Sequence, residues 1–300
     1  MFIMAKFYKE VFTKNLARLI GVKRRLAVVK SKWQKIEVIE TKEFGKSLFI
    51  NSVIQFSEFD EYIYHECLVH PALLSYPMPR RILIIGGGDG CALREVLKHK
   101  CVERVILVDI DKKVIEVSKR FFLHLNKNSF ADKRVKIVID DGRDFVEKCK
   151  DKFDIIIADV TDPSGGSSKL YTKEFYSICK NKLRKDGIFV THSSEPYIYQ
   201  KVFSSIYKTL SSVFQIVRVY GAWIPSFGLF WTFMAASDSI DIFKIRERTL
   251  KRRMLRRKIE TKYYSSELHH TLFLRSKDLG SILKKGKVST DKNPISIPLS

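Results

Sequence analysis

Apolar and polar positions alternate from Gln34 to Gln55: Ile36-Glu37-Val38-Ile39-Glu40, then Ser47-Leu48-Phe49-Ile50-Asn51, with Gly45 between them. Alternation places one set of side chains on each face of a strand, so this stretch predicts a β-hairpin. Phe7 to Lys32 mixes Phe, Leu and Val with many basic residues, and predicts a short helix followed by a strand. A helix lying in a membrane surface is the alternative reading of the same residues. Residues 1–60 together predict a small antiparallel domain.

The pattern then changes. Glu58 begins a helical stretch that runs to about Ser75, where Pro77 and Pro79 stop it. Its Tyr62, Leu68, Leu73 and Leu74 are expected to face the core, while Tyr64 and His65 offer polar tips. In Arg81-Ile82-Leu83-Ile84-Ile85-Gly86-Gly87-Gly88-Asp89-Gly90, four apolar residues without alternation predict a strand buried on both faces. The glycines directly after it let the backbone turn tightly and approach a ligand closely. Strand-like runs recur at Arg104 to Asp109, Val135 to Ile139, Asp154 to Ala158 and Gly187 to Thr191. Helical patterns lie at Ala92 to His99, Lys112 to Phe122, Arg143 to Cys149 and Thr172 to Leu183. Strand and helix in alternation predict a mostly parallel, doubly wound α/β sheet with both faces covered. After a helix to Val213, Gln215 to Tyr220 and Phe230 to Ala236 predict an antiparallel pair at the sheet edge. The expected division is residues 1–60 and residues 61–300, the latter ending in a basic extension.

Composition narrows the setting. Five cysteines are an odd number without a Cys-x-x-Cys pair, which suggests neither a disulfide framework nor a zinc site. A reducing, cytoplasmic location is expected. No apolar run reaches the roughly 18 residues that cross a bilayer, and the apolar run in Met1-Phe2-Ile3-Met4-Ala5-Lys6 is too short for a secretory signal. The net charge of +22 and the basic run Lys251 to Lys258 raise the question of nucleic acid. No aromatic platform is interleaved with that run, and a solvated helix face is the expected reading, with neither nucleic acid nor membrane as partner.

Against this basic background, residues 137–162 hold eight acids and four bases. Ligands of such sheets bind beyond the carboxyl ends of the strands, where Asp89, Asp109, Asp141, Asp159 and Asp162 fall. Asp109 lies 23 positions after Gly86, near the spacing at which a carboxylate meets a ribose. An anionic pocket repels phosphate and attracts a sulfonium or an ammonium. Asp144, Asp151 and Asp154 are expected to cap helices or face water. S-adenosylmethionine carries a carboxylate and an ammonium on its tail, and its decarboxylated form keeps the amine alone, so Asp89 in the glycine turn favours the latter. Asp159 and Asp162, three residues apart, are suited to hold an ammonium and take its proton, as alkyl transfer to nitrogen requires. A methyltransferase using intact S-adenosylmethionine is the alternative on the same fold.

Gly86-Gly87-Gly88-Asp89-Gly90, Val108-Asp109-Ile110-Asp111, Asp141-Gly142, Asp159-Val160-Thr161-Asp162-Pro163 and Leu170-Tyr171-Thr172-Lys173-Glu174-Phe175-Tyr176 occur in this order. With Val53-Ile54-Gln55 and Asp60-Glu61-Tyr62-Ile63-Tyr64-His65-Glu66 upstream, the chain resembles the polyamine aminopropyltransferases, the spermidine synthase family, from about Asn15 to Pro294. The resemblance implies a Rossmann-like, seven-stranded sheet of the methyltransferase type after the small antiparallel domain. It also implies transfer of the aminopropyl group of decarboxylated S-adenosylmethionine to an amine such as putrescine, with release of 5′-methylthioadenosine. Gln34, Asp89, Asp109, Asp141 and Gly142 would contact the donor. Asp159 would be the proton acceptor, and Tyr64, His65 and Asp162 would hold the acceptor amine. Ser164 to Lys169 would be a mobile lid. No metal or organic cofactor is implied, since the sulfonium supplies the driving force, and a homodimer or homotetramer is expected. Three positions depart from many spermidine synthases: His192 stands for Gln, Phe227 for Tyr and Gly166 for Pro. Ile224-Pro225-Ser226-Phe227, Ala236-Ser237-Asp238, Ile245-Arg246-Glu247-Arg248 and Ser289 to Pro294 look more like relatives that make thermospermine or aminopropylate agmatine, while a lid as short as the spermidine synthase one points the other way.

Overall fold

The computed structural model describes residues 6–274 and 276–297. The first five residues, where the signal-peptide question falls, lie outside the described residues. Five strands form an antiparallel sheet in sequential order: β1 (Phe7–Thr13), β2 (Leu16–Lys30), β3 (Lys35–Thr41), β4 (Gly45–Ile50) and β5 (Val53–Ser57). The hairpin expected over Gln34 to Gln55 is β3 and β4. The helix expected within Phe7 to Lys32, including its membrane-surface version, is instead β1 and the start of β2. Residues in β1 alternate outward and inward, and one inward position is the charged Glu10, which hides the alternation from a hydropathy reading. Its carboxylate is buried against the Arg18 guanidinium at 2.5 Å and the Ile54 N–H at 2.9 Å.

The second sheet is built by β6 (Arg81–Gly86), β7 (Arg104–Asp109), β8 (Val135–Ile139), β9 (Phe153–Asp159), β10 (Leu183–His192), β11 (Ile216–Ile224) and β12 (Leu229–Ser237). Its order is β11-β12-β10-β9-β6-β7-β8; β6 to β10 run parallel and β12 is antiparallel to both its neighbours. The chain thus steps from β6 outward through β7 and β8, then returns to β9 on the other side of β6. That reversal opens a crevice at the carboxyl ends of β6, β7 and β9.

Helices cover both faces. Ile82, Ile84, Leu107, Ile155 and Ile157 point toward α1 (Glu61–Ser75) and α2 (Cys91–Lys98), while Leu83, Ile85, Val108, Ile156 and Phe189 point the other way. The intervening helices are α3 (Lys112–Phe121), α4 (Leu123–Asn126), α5 (Gly142–Lys148), α6 (Lys173–Lys182) and α7 (Gln200–Ser211). Phe175, Tyr176, Phe203 and Ile206, from α6 and α7, fill the second face. Ile36, Val38, Leu48 and Phe56 of the first sheet pack on Val114, Val117 and Phe122, so the N-terminal strands sit against α3 beside the crevice.

The basic run lies on α8 (Glu247–Arg257), ahead of α9 (Lys277–Leu283). Two of its arginines are not solvated. Arg257 donates to the carbonyls of Leu73, Tyr76 and Pro77, and Arg253 to those of Leu74 and Ser75. They satisfy the orphan carbonyls at the C-terminal end of α1 and match the negative end of its dipole. Asp154 also departs from expectation, since it neither caps a helix nor meets water. It is buried and accepts the N–H groups of Arg80 and Arg81, at 2.7 and 2.9 Å, at the head of β6.

Candidate active site

Gly86 closes β6 with a φ of +79°, and a Cβ there would lie 2.1 Å from the Asp159 carbonyl oxygen. Only glycine lets the chains approach this closely, and the Gly87 N–H donates to that carbonyl at 2.8 Å. The turn therefore fixes Asp159 at the end of β9. Tyr64, from α1, donates to Asp159 Oδ1 at 2.9 Å. Asp159 Oδ2 is buried and has no hydrogen-bond partner among the described residues. Burial, reinforced by the charge of Asp89, pushes the Asp159 pKa up to about 6 against the opposing pull of His65, Tyr64 and His192. An unpartnered buried oxygen on a carboxylate with a raised pKa is equipped to bind an ammonium and to take a proton from it.

Asp162, on the loop after β9, is also raised by burial, against the lowering effect of His192 and a hydrogen bond from the Ser194 hydroxyl. His192 Nδ1 lies 3.8 Å from Asp162 Oδ1. Its Nε2 is held by the Val160 carbonyl and lies 3.0 Å from the Tyr171 hydroxyl. The His192 ring stacks on Trp231 with centroids 5.7 Å apart, and Phe227 meets Trp231 edge-on at 5.1 Å. Phe227 also lies 6.1 Å from the Tyr64 ring. Aromatic rings thus wall the side of the crevice that holds the carboxylates. Asp60, which caps α1, accepts from the N–H and the hydroxyl of Ser226 and so positions Phe227.

Toward β7, Asp109 is buried and accepts the Asp111 N–H at 2.8 Å. Burial raises its pKa to about 6; that hydrogen bond opposes the rise, and the charges of Asp111 and Asp89 add to it. Gln34 donates to Asp111 Oδ2 at 3.0 Å, next to the Ser31 hydroxyl at 2.6 Å, and so reaches this corner by way of Asp111. Asp141 caps α5 at the end of β8, accepting the N–H groups of Arg143 and Asp144 at 2.8 and 3.1 Å. Gly142 is packed so tightly that a Cβ would lie 2.5 Å from Ile85 Cγ2.

Asp89 lies within the glycine turn, and its Oδ1 accepts the Cys91 N–H at 2.7 Å. His65 stands 3.5 Å behind it, Nε2 to Oδ1. Ligand atoms of His65, Asp89 and Asp159 all lie within 4.8 Å of one another, as do those of Glu61, His65 and Cys91. Both sets share His65, whose Nδ1 is already bound to Glu61. The nine sequence-derived residues therefore fall into three adjoining groups. Asp89, Asp159, Tyr64, His65 and Asp162 meet at the centre, Asp109 and Gln34 at the β7 corner, and Asp141 with Gly142 at the β8 corner. Asp111, Ser194, Trp231, Glu61 and Arg94 were not singled out by sequence. The signal for Arg94 was an Arg-Glu pair set in the otherwise apolar Ala92-Leu93-Arg94-Glu95-Val96-Leu97, masked in so basic a chain.

Residues 61–245 match the spermine/spermidine synthase domain, and residues 7–58 match the spermidine synthase tetramerisation domain. The chain is 44% identical to a polyamine aminopropyltransferase of Korarchaeum cryptofilum, over 88% of this chain and 83% of that one. It is 43% identical to a thermospermine synthase of Arabidopsis thaliana, over 77% and 70%. A crystal structure of spermidine synthase from Thermotoga maritima superposes with a TM-score of 0.85 at 32% identity, covering 94% of this chain and 95% of that one. Spermidine synthase in complex with the transition state analogue AdoDATO superposes with a TM-score of 0.88 at 33% identity, covering 94% and 96%. With the crevice, its carboxylates and these similarities together, the chain belongs to the spermine/spermidine synthase family and is a transferase of the polyamine aminopropyltransferase type.

Proposed function

We propose that this chain moves the aminopropyl group of decarboxylated S-adenosylmethionine to a primary amine of a diamine or polyamine, putrescine in the simplest case, releasing 5′-methylthioadenosine. The observation that carries this is Asp159, a carboxylate with one buried, unpartnered oxygen at the end of β9 beside Gly86 of β6. Asp89 takes the ammonium of the donor tail, Asp109 the ribose hydroxyls, with Gln34 steadying Asp111 beside it, and Asp141 with Gly142 the adenine. Tyr64 and Asp162 hold the acceptor amine. His65, expected to share that task, has its nitrogens turned to Glu61 and Asp89 and supports the pocket from behind.

Asp159 accepts a proton from the acceptor ammonium, and the freed amine attacks the propyl carbon next to sulfur. A C–N bond forms as the C–S bond breaks, and its electron pair stays on sulfur, which leaves as a neutral thioether. The protein contributes positioning and deprotonation. Ser164 to Lys169 would close over this reaction. No cofactor is assigned a step.

The acceptor is the finer question. Phe227 offers no hydroxyl and His192 faces Asp162, which keeps spermidine and agmatine as alternatives to putrescine. Purified protein incubated with decarboxylated S-adenosylmethionine and each amine, followed by mass spectrometry, separates these: aminopropylated product with any of them supports the assignment and names the acceptor. Methyl transfer from intact S-adenosylmethionine with no aminopropyl product would overturn it. We also assign the assembly to a homodimer or homotetramer through the N-terminal sheet, whose match is to a tetramerisation domain. Five unpaired cysteines support a reducing, cytoplasmic location, and among the described residues no helix is long and apolar enough to cross a membrane.

A further inference from the structure

Behind Asp89 runs a buried row of charged groups that the mechanism above does not use. Arg94, from α2, grips Glu61 of α1 with two bonds, Nη1 to Oε1 at 2.7 Å and Nη2 to Oε2 at 2.9 Å. Two more of its donors go to Glu95 Oε1 and the Leu125 carbonyl, both at 2.7 Å. Glu61 Oε2 also faces His65 Nδ1 at 2.9 Å, and the Glu61 carbonyl faces the same nitrogen at 2.7 Å. Both neighbours of Nδ1 are acceptors, so Nδ1 carries a hydrogen. If His65 were neutral, Nε2 would then present a lone pair to the Asp89 carboxylate 3.5 Å away. Protonated, it presents an N–H.

We propose that Arg94, through Glu61, is a positioning residue that holds His65 as a permanent imidazolium against Asp89, making His65 the fixed cation of the donor-tail pocket and leaving proton acceptance to Asp159. The row then reads plus, minus, plus, minus from Arg94 to Asp89, and each buried charge is offset by the next. An imidazolium has no free lone pair, so His65 neither accepts a hydrogen bond from a substrate ammonium nor takes its proton. Both contacts to Asp89 fall on Oδ1, so its Oδ2 stays outside the row.

Every element packed on the ring bears on this state. Glu61 and Tyr64 come from α1, Asp89 from the glycine turn, Cys91 and Arg94 from α2, Asp159 from β9 and the uncharged Phe56 from β5. Burial lowers the His65 pKa, but Asp89 and Glu61 outweigh it and hold it up at about 9. Burial likewise raises Glu61, and His65 with Arg94 more than reverses this, to about 2. The inference rests on the donor-tail reading of Asp89 for its consequence, but the NMR test of the protonation state does not.

The first test is nitrogen-15 NMR of the histidine side chains in the intact protein, with His65 assigned by loss of its signals in His65→Gln. Both ring nitrogens are expected to stay protonated through pH 8, with the transition near pH 9. A neutral ring at pH 7.5 overturns the proposal and leaves aminopropyl transfer untouched. The second test compares Arg94→Met with Arg94→Lys in the pH profile of kcat/KM for the donor. Arg94→Met is expected to lose at least about tenfold in kcat/KM at pH 8, because Glu61 is no longer held against His65, with Arg94→Lys recovering most of it. An unmoved profile with only a lower melting temperature would make Arg94 merely structural and refute its positioning role. Should Arg94→Met not fold, the NMR measurement on the wild type still decides the protonation state.

Discussion

Asp159 and Asp109 owe their chemistry to where they are buried. Both have carboxyl pKa values of about 6, raised by burial with Asp89 adding to each. A carboxylic acid whose folded pKa lies above its unfolded value costs stability as pH rises through that interval, so these two oppose folding at neutral pH and a cationic ligand offsets the cost. Donor binding near pH 6 is therefore expected to release protons, which calorimetry in buffers of different ionisation enthalpy would reveal; heats independent of buffer would contradict it. With Asp159 as the proposed base, the same value sets the acid limb of kcat/KM, which is expected to decline below about pH 6. Asp159→Asn removes the base while keeping the shape, and turnover should fall at least about a hundredfold with 5′-methylthioadenosine binding retained. Near-wild-type turnover in that variant would displace Asp159 from the reaction. Asp109→Ala should act differently, raising KM for the donor with smaller change in kcat, because it removes ribose contacts made equally in ground and transition states.

At the scale of elements, the parallel strands and the hairpin of β3 and β4 were legible and β1 was not, for a physical reason. Strands β6, β7 and β9 are apolar on both faces, and an unbroken apolar run bounded by glycine or aspartate has few other readings. In β1 the buried positions include Glu10, neutralised by Arg18 eight residues on, and such a pairing cannot be seen in a one-dimensional pattern. The basic helix α8 is a similar case. Its charge density suggests a solvated or polyanion-binding face, yet Arg253 and Arg257 are spent on the end of α1. Arg257→Ala removes the donor from one buried and two partly buried carbonyls and is expected to cost about 1–3 kcal/mol in denaturant unfolding, while the specific activity of the folded fraction is kept. Arg252→Ala, on the same helix, should be near neutral; equal losses in the two would mean that α8 contributes through overall charge.

Across the whole molecule, the sign of charge is partitioned. The chain carries +22, but its crevice gathers Asp89, Asp109, Asp159 and Asp162, so a cationic donor and a cationic acceptor are drawn to an acidic crevice in a basic chain. The first sheet leaves Phe7, Leu16 and Leu19 exposed on β1 and β2, at 57%, 44% and 63%. Such a patch on the segment that matches a tetramerisation domain predicts that Phe7→Ser with Leu19→Lys lowers the assembled mass in analytical ultracentrifugation. An unchanged mass would place the interface elsewhere. The sequence by itself determined the α/β class, the glycine turn and the aspartates at strand ends, because periodicity and strand termini are local properties and a strand's last residue must face the crevice. Only the tertiary structure decided that Asp159 keeps an unpartnered oxygen and that Gln34 reaches the Asp109 corner through Asp111. It alone set the His65 nitrogens on Glu61 and Asp89. Apart from the Glu61–His65 contact within α1, each of those depends on groups tens of residues apart in the chain, brought together by packing that no window of sequence contains.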